Sequence, residues 1–370
     1  MSEFANSERP ARRWMGSVGR GLVVMGLALL SASDAYAQGC IVARTSQPVG
    51  SEERGGYLSP GQWEVTLGYR YLYSNHFYIG STEQTKIVDA HGGDAVANRI
   101  HLFNLALSYQ VSPRWSFGAN VPYLSASRHF PGYLPGFMTG MPGAPDQSST
   151  SHGVGDVNLT AQSWIWSPSA KPRGNVAVAF GVVFPTGDDN YQDVVQTTSG
   201  PQKTAVDSSI QPGFGGWGIV LQSQGFRAVR NTVLYYNASY ILEPEDTTHT
   251  RSGLPGPLMY NSIPDTYLAE AGIAYPVSKI PGLNLTFGPR IEGVPVHDLI
   301  GDSNGFRRPG YAFSLEPGFE YSRGNNIITF GLPIAVARDR KQNVPEKAIG
   351  KHGGASFANY VWLLSYTYRF

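Results

Sequence analysis

Cysteine, net charge and long apolar runs are all scarce in this sequence. Cys40 is the only cysteine among 370 residues, which excludes an internal disulfide framework and a metal cluster held by cysteines. The 28 basic and 27 acidic side chains nearly cancel, so the charge does not indicate a nucleic-acid partner. Beyond the first 37 residues, no apolar run reaches the length of about 18 residues that a membrane helix needs. Glycine and aromatic residues, by contrast, are plentiful.

A signal peptide is predicted over residues 1–37. An apolar run over residues 21–30 is too short to span a bilayer, and it is preceded by the basic residues Arg12, Arg13 and Arg20. The Ala-Tyr-Ala stretch at 35–37 supplies the small residues that a signal peptidase requires. Met15 is an alternative start, because everything before it adds nothing that a leader needs. We therefore expect the protein to be exported.

Residues 38–60 are polar and rich in Gly, Ser and Pro, without sustained periodicity. This composition predicts a periplasmic lead-in rather than a domain. Two interpretations stay open: a short plug folded into the domain that follows, and a disordered tether. Cys40 also suggests a lipid anchor, but Ala37 stands where a lipoprotein signal has a large aliphatic residue.

The last stretch of the chain, residues 359–370, has the clearest pattern. One face of a strand here would be polar, with Ser365, Thr367 and Arg369, while the other carries Tyr360, Trp362, Leu364, Tyr366, Tyr368 and Phe370. A period of two that separates an apolar from a polar face is typical of a half-buried strand. The ring-ended strand resembles the C-terminal signal of bacterial outer-membrane barrels. That resemblance implies the barrel-assembly machinery as a partner.

The same alternation recurs from residue 61 onward. In the first strand, outward aromatic and aliphatic side chains alternate with Glu64, Thr66 and Arg70. About twelve such segments predict strands with an apolar outer face and a polar inner one. The sixth strand, near residues 208–222, is hard to delimit because residues 211–218 carry many glycines. Glycines in a strand predict a bulge or the close approach of another backbone.

The connections between the predicted strands alternate in length. The long, polar ones cover residues 75–97, 126–152, 187–207, 243–264, 297–309 and 339–356. The short ones cover residues 112–114, 167–174, 223–227, 278–282 and 323–325. Short turns at one end and long loops at the other are typical of an outer-membrane barrel. We therefore predict an all-β, transmembrane antiparallel barrel over residues 61–370, in contact with outer-membrane lipid and with both termini periplasmic.

Two short motifs resemble a known family. Gly153-Val154-Gly155-Asp156-Val157 and Phe184-Pro185-Thr186-Gly187-Asp188 are similar to paired stretches in the meta-pathway phenol-degradation transporters of the outer membrane. The resemblance implies a one-domain barrel that takes up small, often aromatic, molecules. Fatty-acid and toluene channels are a more distant likeness, and the lead-in here is too short for the N-terminal hatch that their mechanism uses.

Two groups of charged residues are candidate sites. Asp156 and Asp188 end neighbouring strands and are expected close together at the outer rim, where they either bind a cation or cap turns. Antiparallel counting pairs Glu270 with Arg290, and Arg290 with Glu316, on the inward face of neighbouring strands. This predicts a Glu-Arg-Glu row on the wall of the lumen. Such a row either rigidifies the wall or sets the ion preference of the channel.

No catalytic constellation, cofactor site or metal site is predicted. Ser151-His152 and Ser74-Asn75-His76 are chance neighbours of the kind that polar loops contain, and the group Asp89, His91 and Asp94 is interpreted as a solvated turn. Three functions remain: a channel or facilitated transporter for small solutes, which we favour, a lipid-active enzyme, and a structural or adhesive barrel with a closed lumen.

Overall fold

The computed structural model describes residues 57–90, 96–132 and 144–370. The predicted signal peptide at 1–37, the lead-in up to residue 56, His91 and Asp94 all lie outside the described residues.

Strands dominate the part of the chain that is described. In chain order they are β1 (Trp63–Ile79), β2 (Thr82–Glu83), β3 (Ala97–Gln110), β4 (Trp115–Phe130), β5 (Gln147–Val154), β6 (Val157–Trp164), β7 (Gly174–Phe184), β8 (Gln192–Thr197), β9 (Gly200–Ala205), β10 (Gly218–Val229), β11 (Thr232–Leu242), β12 (Thr247–Arg251), β13 (Tyr260–Ser262), β14 (Thr266–Pro276), β15 (Leu283–Val294), β16 (Gly310–Arg323), β17 (Asn326–Gly331), β18 (Ile334–Arg340) and β19 (Ala355–Arg369). The helical pieces are α1 (Thr85–Ala90), α2 (Val344–Ala348) and a 3₁₀ turn at Gly256–Leu258. Within these ranges, no helix has the length and apolar character that crossing a bilayer requires.

The main sheet closes on itself. Strand β1 pairs with β3 on one side and with β19 on the other, both antiparallel. Strands β5 and β6 follow one another along the same side of β4, and β17 and β18 do the same beside β16. The result is a closed antiparallel barrel of 12 strands, which confirms the predicted fold and strand number.

Side chains alternate between the two faces of the barrel as predicted. Outward positions are exposed and apolar, among them Leu67, Phe103, Leu105, Trp115, Phe117, Phe180 and Trp362. Inward positions of the same strands are buried and mostly polar, among them Glu64, Thr66, Arg70, Asn104, Gln110 and Thr367. An apolar exterior around a polar interior reverses the usual arrangement of a soluble protein and is the surface that a bilayer covers.

The short turns all lie at one end of the barrel, called here the short-turn end. The first and last strands also meet there, since Trp63 N donates to Phe370 O at 2.8 Å. The opposite, long-connection end carries the β8–β9 and β12–β13 hairpins and both short helices.

Two predicted boundaries were wrong. The expected short turn at 223–227 lies inside β10, and the actual turn is at residues 230 and 231, where Arg230 has a φ of 54°. The sixth strand, expected near residues 208–222, begins only at Gly218, and the residues before it form a connection in which Gly213 packs backbone to backbone against Gly187. A Cβ on Gly213 would lie 2.4 Å from Gly187 O. The close approach that the glycines predicted is therefore present, but it ends the strand.

Several predicted long loops begin later than expected. Strand β1 continues to Ile79 and β4 to Phe130, and β5 occupies residues expected in a loop. The outward side chains of β4 in this region are polar: Ser125, Ser127 and His129. The band of exposed apolar side chains around the barrel, called here the apolar belt, ends in this region, although strand pairing continues beyond it.

The end of the lead-in contacts the barrel interior. Tyr57 packs edge-on against Trp164 at 4.9 Å and against Phe226 at 5.5 Å between ring centroids. Its hydroxyl donates to Lys171 O at 2.9 Å, and Leu58 is fully buried. Residues 57 and 58 are thus packed against the short-turn end.

Candidate functional site

A network of charged side chains crosses the barrel interior. Arg70 on β1 contacts Glu292 on β15 through two hydrogen bonds, of 2.6 and 3.1 Å. The two strands are not neighbours in the sheet, so these side chains can meet only across the lumen. The alternation in the sequence predicted that Arg70 faces inward, but it did not predict an ion-pair partner for Arg70.

Arg290 is the centre of this network. Its guanidinium contacts Glu270 at 2.9 Å, Glu292 at 3.1 Å and Glu316 at 3.4 Å. Glu292 was missed in the sequence, although it lies two residues from Arg290 and therefore on the same face of the strand. One oxygen of Glu270, Oε1, is buried without a hydrogen-bond partner. With every group ionised, two arginines face three glutamates and one negative charge is in excess.

The strand register agrees with only one of the two predicted pairings. Glu270 lies opposite Arg290, as counting across the tight turn predicts. Arg290, however, lies opposite Ser314, and Glu316 lies opposite Gly288, two residues from the predicted position. A long connection fixes register less tightly than a short turn. The side chain of Glu316 still reaches Arg290 on the diagonal.

A group of apolar side chains lines the interior beside the charged network. The apolar patch consists of Leu72, Ile100, Leu102, Leu124, Ala126 and Val361, all buried and all inward on β1, β3, β4 and β19. Register places Arg70 directly opposite Leu102, and Leu102 opposite Leu124. Inward parity in the sequence places each of these leucines inside the barrel, but it does not show that they lie together.

The apolar patch is covered by a connection from the long-connection end. Val206 and Ile210, which lie between β9 and β10, pack into the same cluster. Both are fully buried. The barrel interior is therefore filled on this side by the chain itself.

Asp156 and Asp188 act as acceptors for backbone groups. Asp156 accepts hydrogen bonds from Gly187 N at 2.9 Å and from Phe214 N at 2.7 Å. The carboxylate of Asp188 accepts one from Asn190 N at 2.9 Å. Asp156 thus contacts the residue before Asp188. In the described ranges, no three His, Cys, Asp or Glu side chains are arranged to hold a metal ion.

Further carboxyl groups are buried near Asp156. Glu243, just after β11, has an oxygen without a hydrogen-bond partner. Burial, followed by the charges of Asp156 and Asp265, raises the pKa of Glu243 well above its ordinary value of 4.5. Asp298 forms a bidentate ion pair with Arg307 at 2.5 and 2.6 Å. The pKa shift means that Glu243 holds its proton to higher pH in the folded protein than an ordinary glutamate does.

Neither serine–histidine neighbour forms a hydrogen bond between its own members in the structure. Ser151 points inward and donates to Ile210 O, while His152 is exposed and contacts the hydroxyl of Tyr191 at 3.2 Å. Ser74 is buried and accepts from Asn98, whereas His76 contacts Glu83 at 2.7 Å. Adjacent residues on a strand face opposite ways, which separates Ser151 from His152.

Comparison with known proteins gives structural matches only. No family model and no curated sequence matches this chain. Its fold is similar to that of the COG4313 outer membrane channel from Pseudomonas putida F1, with a TM-score of 0.54, 14% identity and coverage of 87% of this chain and 100% of that one. A FadL homologue from Pseudomonas aeruginosa matches with a TM-score of 0.42 and 12% identity, over 87% of this chain and 98% of that one. The Pseudomonas putida toluene transporter TodX matches with a TM-score of 0.43 and 12% identity, over 90% of this chain and 98% of that one. The chain therefore has the fold of an outer-membrane channel barrel.

Proposed function

We propose that this protein is an outer-membrane channel or facilitated transporter for small apolar or aromatic solutes. The observation that carries the proposal is the apolar patch inside the barrel. The interior of a membrane barrel is ordinarily polar, and a water-filled pore gains nothing from buried leucines. An apolar solute in contact with such a wall is stabilised by about 25 cal/mol for each Å² of apolar surface removed from water.

The charged network supplies the second half of the proposed mechanism. Arg70 is in register with Leu102, so the Glu-Arg network adjoins the apolar patch. A solute with a ring and one polar group would place the ring on the patch and the polar group toward the glutamates. We also assign to Glu270, Arg290 and Glu316 the ion preference of the lumen, because the network carries an excess negative charge.

The proposed orientation places the long-connection end outside the cell and both chain termini in the periplasm. Long external loops and short periplasmic turns are the usual arrangement in bacterial barrels. In this arrangement Asp156 and Asp188 lie at the outer rim. The terminal strand β19, with its row of outward aromatic side chains, is the proposed recognition element for the barrel-assembly machinery.

Two further observations support a transport role. The similar fold at a TM-score above 0.5 is that of a protein described as an outer membrane channel. The GVGD and PTGD stretches resemble the phenol-degradation transporters, and Asp156 of the first stretch bonds to Gly187 of the second. The packed interior also fits the second candidate, a closed structural barrel, and the test has to separate the two.

The test compares solute entry into cells of a Gram-negative host with and without the protein. The outer membrane of the host is the barrier, and the probes are a neutral monoaromatic compound and a neutral sugar of similar size. A transporter for apolar solutes should raise the accumulation of the monoaromatic compound several-fold and leave the sugar unchanged. No change in either probe would indicate a closed barrel, and an equal rise in both would indicate an unselective pore. Release of fatty acids from added lipid would indicate an enzyme.

A further inference from the structure

Residues 206–216, called here the inner segment, connect the β8–β9 hairpin to β10 and fold into the barrel. Val206 and Ile210 pack on the apolar patch. Together, the two branched side chains present about as much apolar volume as a monoaromatic ring with a methyl group. The inner segment therefore occupies the surface to which we assign the solute. Its two branched side chains show that this surface accepts compact apolar groups.

Ion pairs hold the inner segment at the end nearest the patch. Asp207 accepts hydrogen bonds from Arg308 at 2.6 and 2.8 Å, and Arg128 lies 3.4 Å away. Burial alone would raise the pKa of Asp207, but the two guanidinium groups outweigh it and hold that pKa well below its ordinary value. Charge-assisted bidentate pairs are stronger and more directional than neutral hydrogen bonds. Asp207 is therefore ionised at neutral pH, and its ion pairs hold the inner segment in place.

Polar contacts to the barrel wall hold the rest of the inner segment. Ser209 donates to Asn98 on β3 at 3.3 Å, and Ser151 on β5 donates to Ile210 O. Farther along, Asp156 accepts from Phe214 N. These contacts are hydrogen bonds rather than strand pairing, so the inner segment is attached to the wall without being part of the sheet.

We propose that the inner segment is a displaceable stopper, which an apolar solute replaces on the apolar patch and which the Asp207 ion pairs return to its place. The inference rests on the proposed transport of apolar solutes. Its physical basis is that Val206, Ile210 and the solute compete for the same leucine side chains. Without solute, the stopper keeps both water and ions out of this half of the lumen.

The first test measures this competition directly. Asn98→Cys and Ser209→Cys, in a Cys40→Ser background, place two thiols where side-chain atoms now lie 3.3 Å apart. In the protein reconstituted into vesicles, a neutral monoaromatic compound should slow disulfide formation several-fold, and a sugar of similar size should not. An oxidation rate that the monoaromatic compound leaves unchanged would overturn the proposal.

The second test separates the stopper from the proposed function. The oxidised pair should stop accumulation of the monoaromatic compound in cells, and a reductant should restore it. Asp207→Asn should raise ion conductance in planar bilayers several-fold, whereas Asp193→Asn, which removes an equal charge from an aspartate in the β8–β9 hairpin, should not. Transport that is indifferent to the disulfide overturns the stopper and leaves the proposed function standing. Failure of the reduced and the wild-type proteins to transport refutes the proposed function, and the stopper with it.

Discussion

Arg70 and Glu292 approach to 2.6 Å across the barrel interior, and this contact joins two chemically different walls. On its own side, Arg70 is in register with Leu102 and Leu363. On the far side, Glu292 shares Arg290 with two further glutamates. The lumen thus has an apolar patch among the polar residues of one wall and a cluster of charged side chains on the opposite wall.

Removing the central cation of the network should change the ion preference of the lumen. Arg290→Gln leaves three glutamates with only Arg70, so cation preference should increase. The double variant Glu270→Gln with Glu316→Gln should shift preference toward anions. Because breaking a buried pair costs roughly 3–5 kcal/mol, retention of the folded, heat-resistant band on gels is the necessary control. Reversal potentials in asymmetric salt provide the measurement, and unchanged values in both folded variants would place these residues outside the conducting path.

Glu243 should make the folded protein less stable as pH rises. Its pKa is raised because of burial and the nearby charges of Asp156, Asp265, Glu245 and Asp298. Above the ordinary value of 4.5, the unfolded chain has lost a proton that the folded protein still holds, so increasing pH favours unfolding. Glu243→Gln should remove this dependence and be more stable than wild type at pH 8. Unfolding in denaturant from pH 5 to 9 checks it, and parallel curves for the two proteins would contradict it.

A charge on the apolar part of the outer face of β3 should destabilise the protein. Leu105→Arg places a cation on the apolar belt and should cost roughly 2–4 kcal/mol if it lies near the bilayer midplane. Val194→Arg is the matched control, because Val194 is also exposed but lies on the β8–β9 hairpin beyond the belt. Equilibrium unfolding from lipid vesicles gives both values. Equal costs would mean that the belt does not face lipid.

Two exposed lysines at opposite ends of the barrel report its orientation. In a Cys40→Ser background, Lys351→Cys lies at the long-connection end and Lys279→Cys in a short turn. An impermeant thiol reagent should label the first on intact cells and the second only after the outer membrane is opened. The opposite pattern would reverse the proposed orientation, and equal labelling would argue against insertion in the membrane.

Local patterns in the sequence predicted much of the fold. Alternation along β1, β3 and β19 gave their outward and inward faces, and the tight turn between β14 and β15 fixed the pairing of Glu270 with Arg290. These features depend on neighbouring residues or on short turns. The strand limits near Gly213 and the register of Glu316 depend on long connections, whose path is set by packing against distant strands.

The apolar patch could not be recognised from any single strand. Each strand contributes only one or two inward apolar residues, such as Leu72 from β1 and Leu124 from β4. In the sequence, one or two apolar residues on an inner face do not indicate an apolar surface. Only the register of four strands, and the fold of the inner segment over them, brings these side chains together.

The most direct test of the central claim compares two positions on the inner face of β3. Leu102 belongs to the apolar patch, and Asn104, two residues along, faces the polar part of the same wall. If apolar solutes pass over the patch, Leu102→Gln should lower the accumulation of a neutral monoaromatic compound in cells several-fold, whereas Asn104→Gln should leave it near the wild-type rate. Equal accumulation in the two folded variants would contradict the claim that the apolar patch carries the solute.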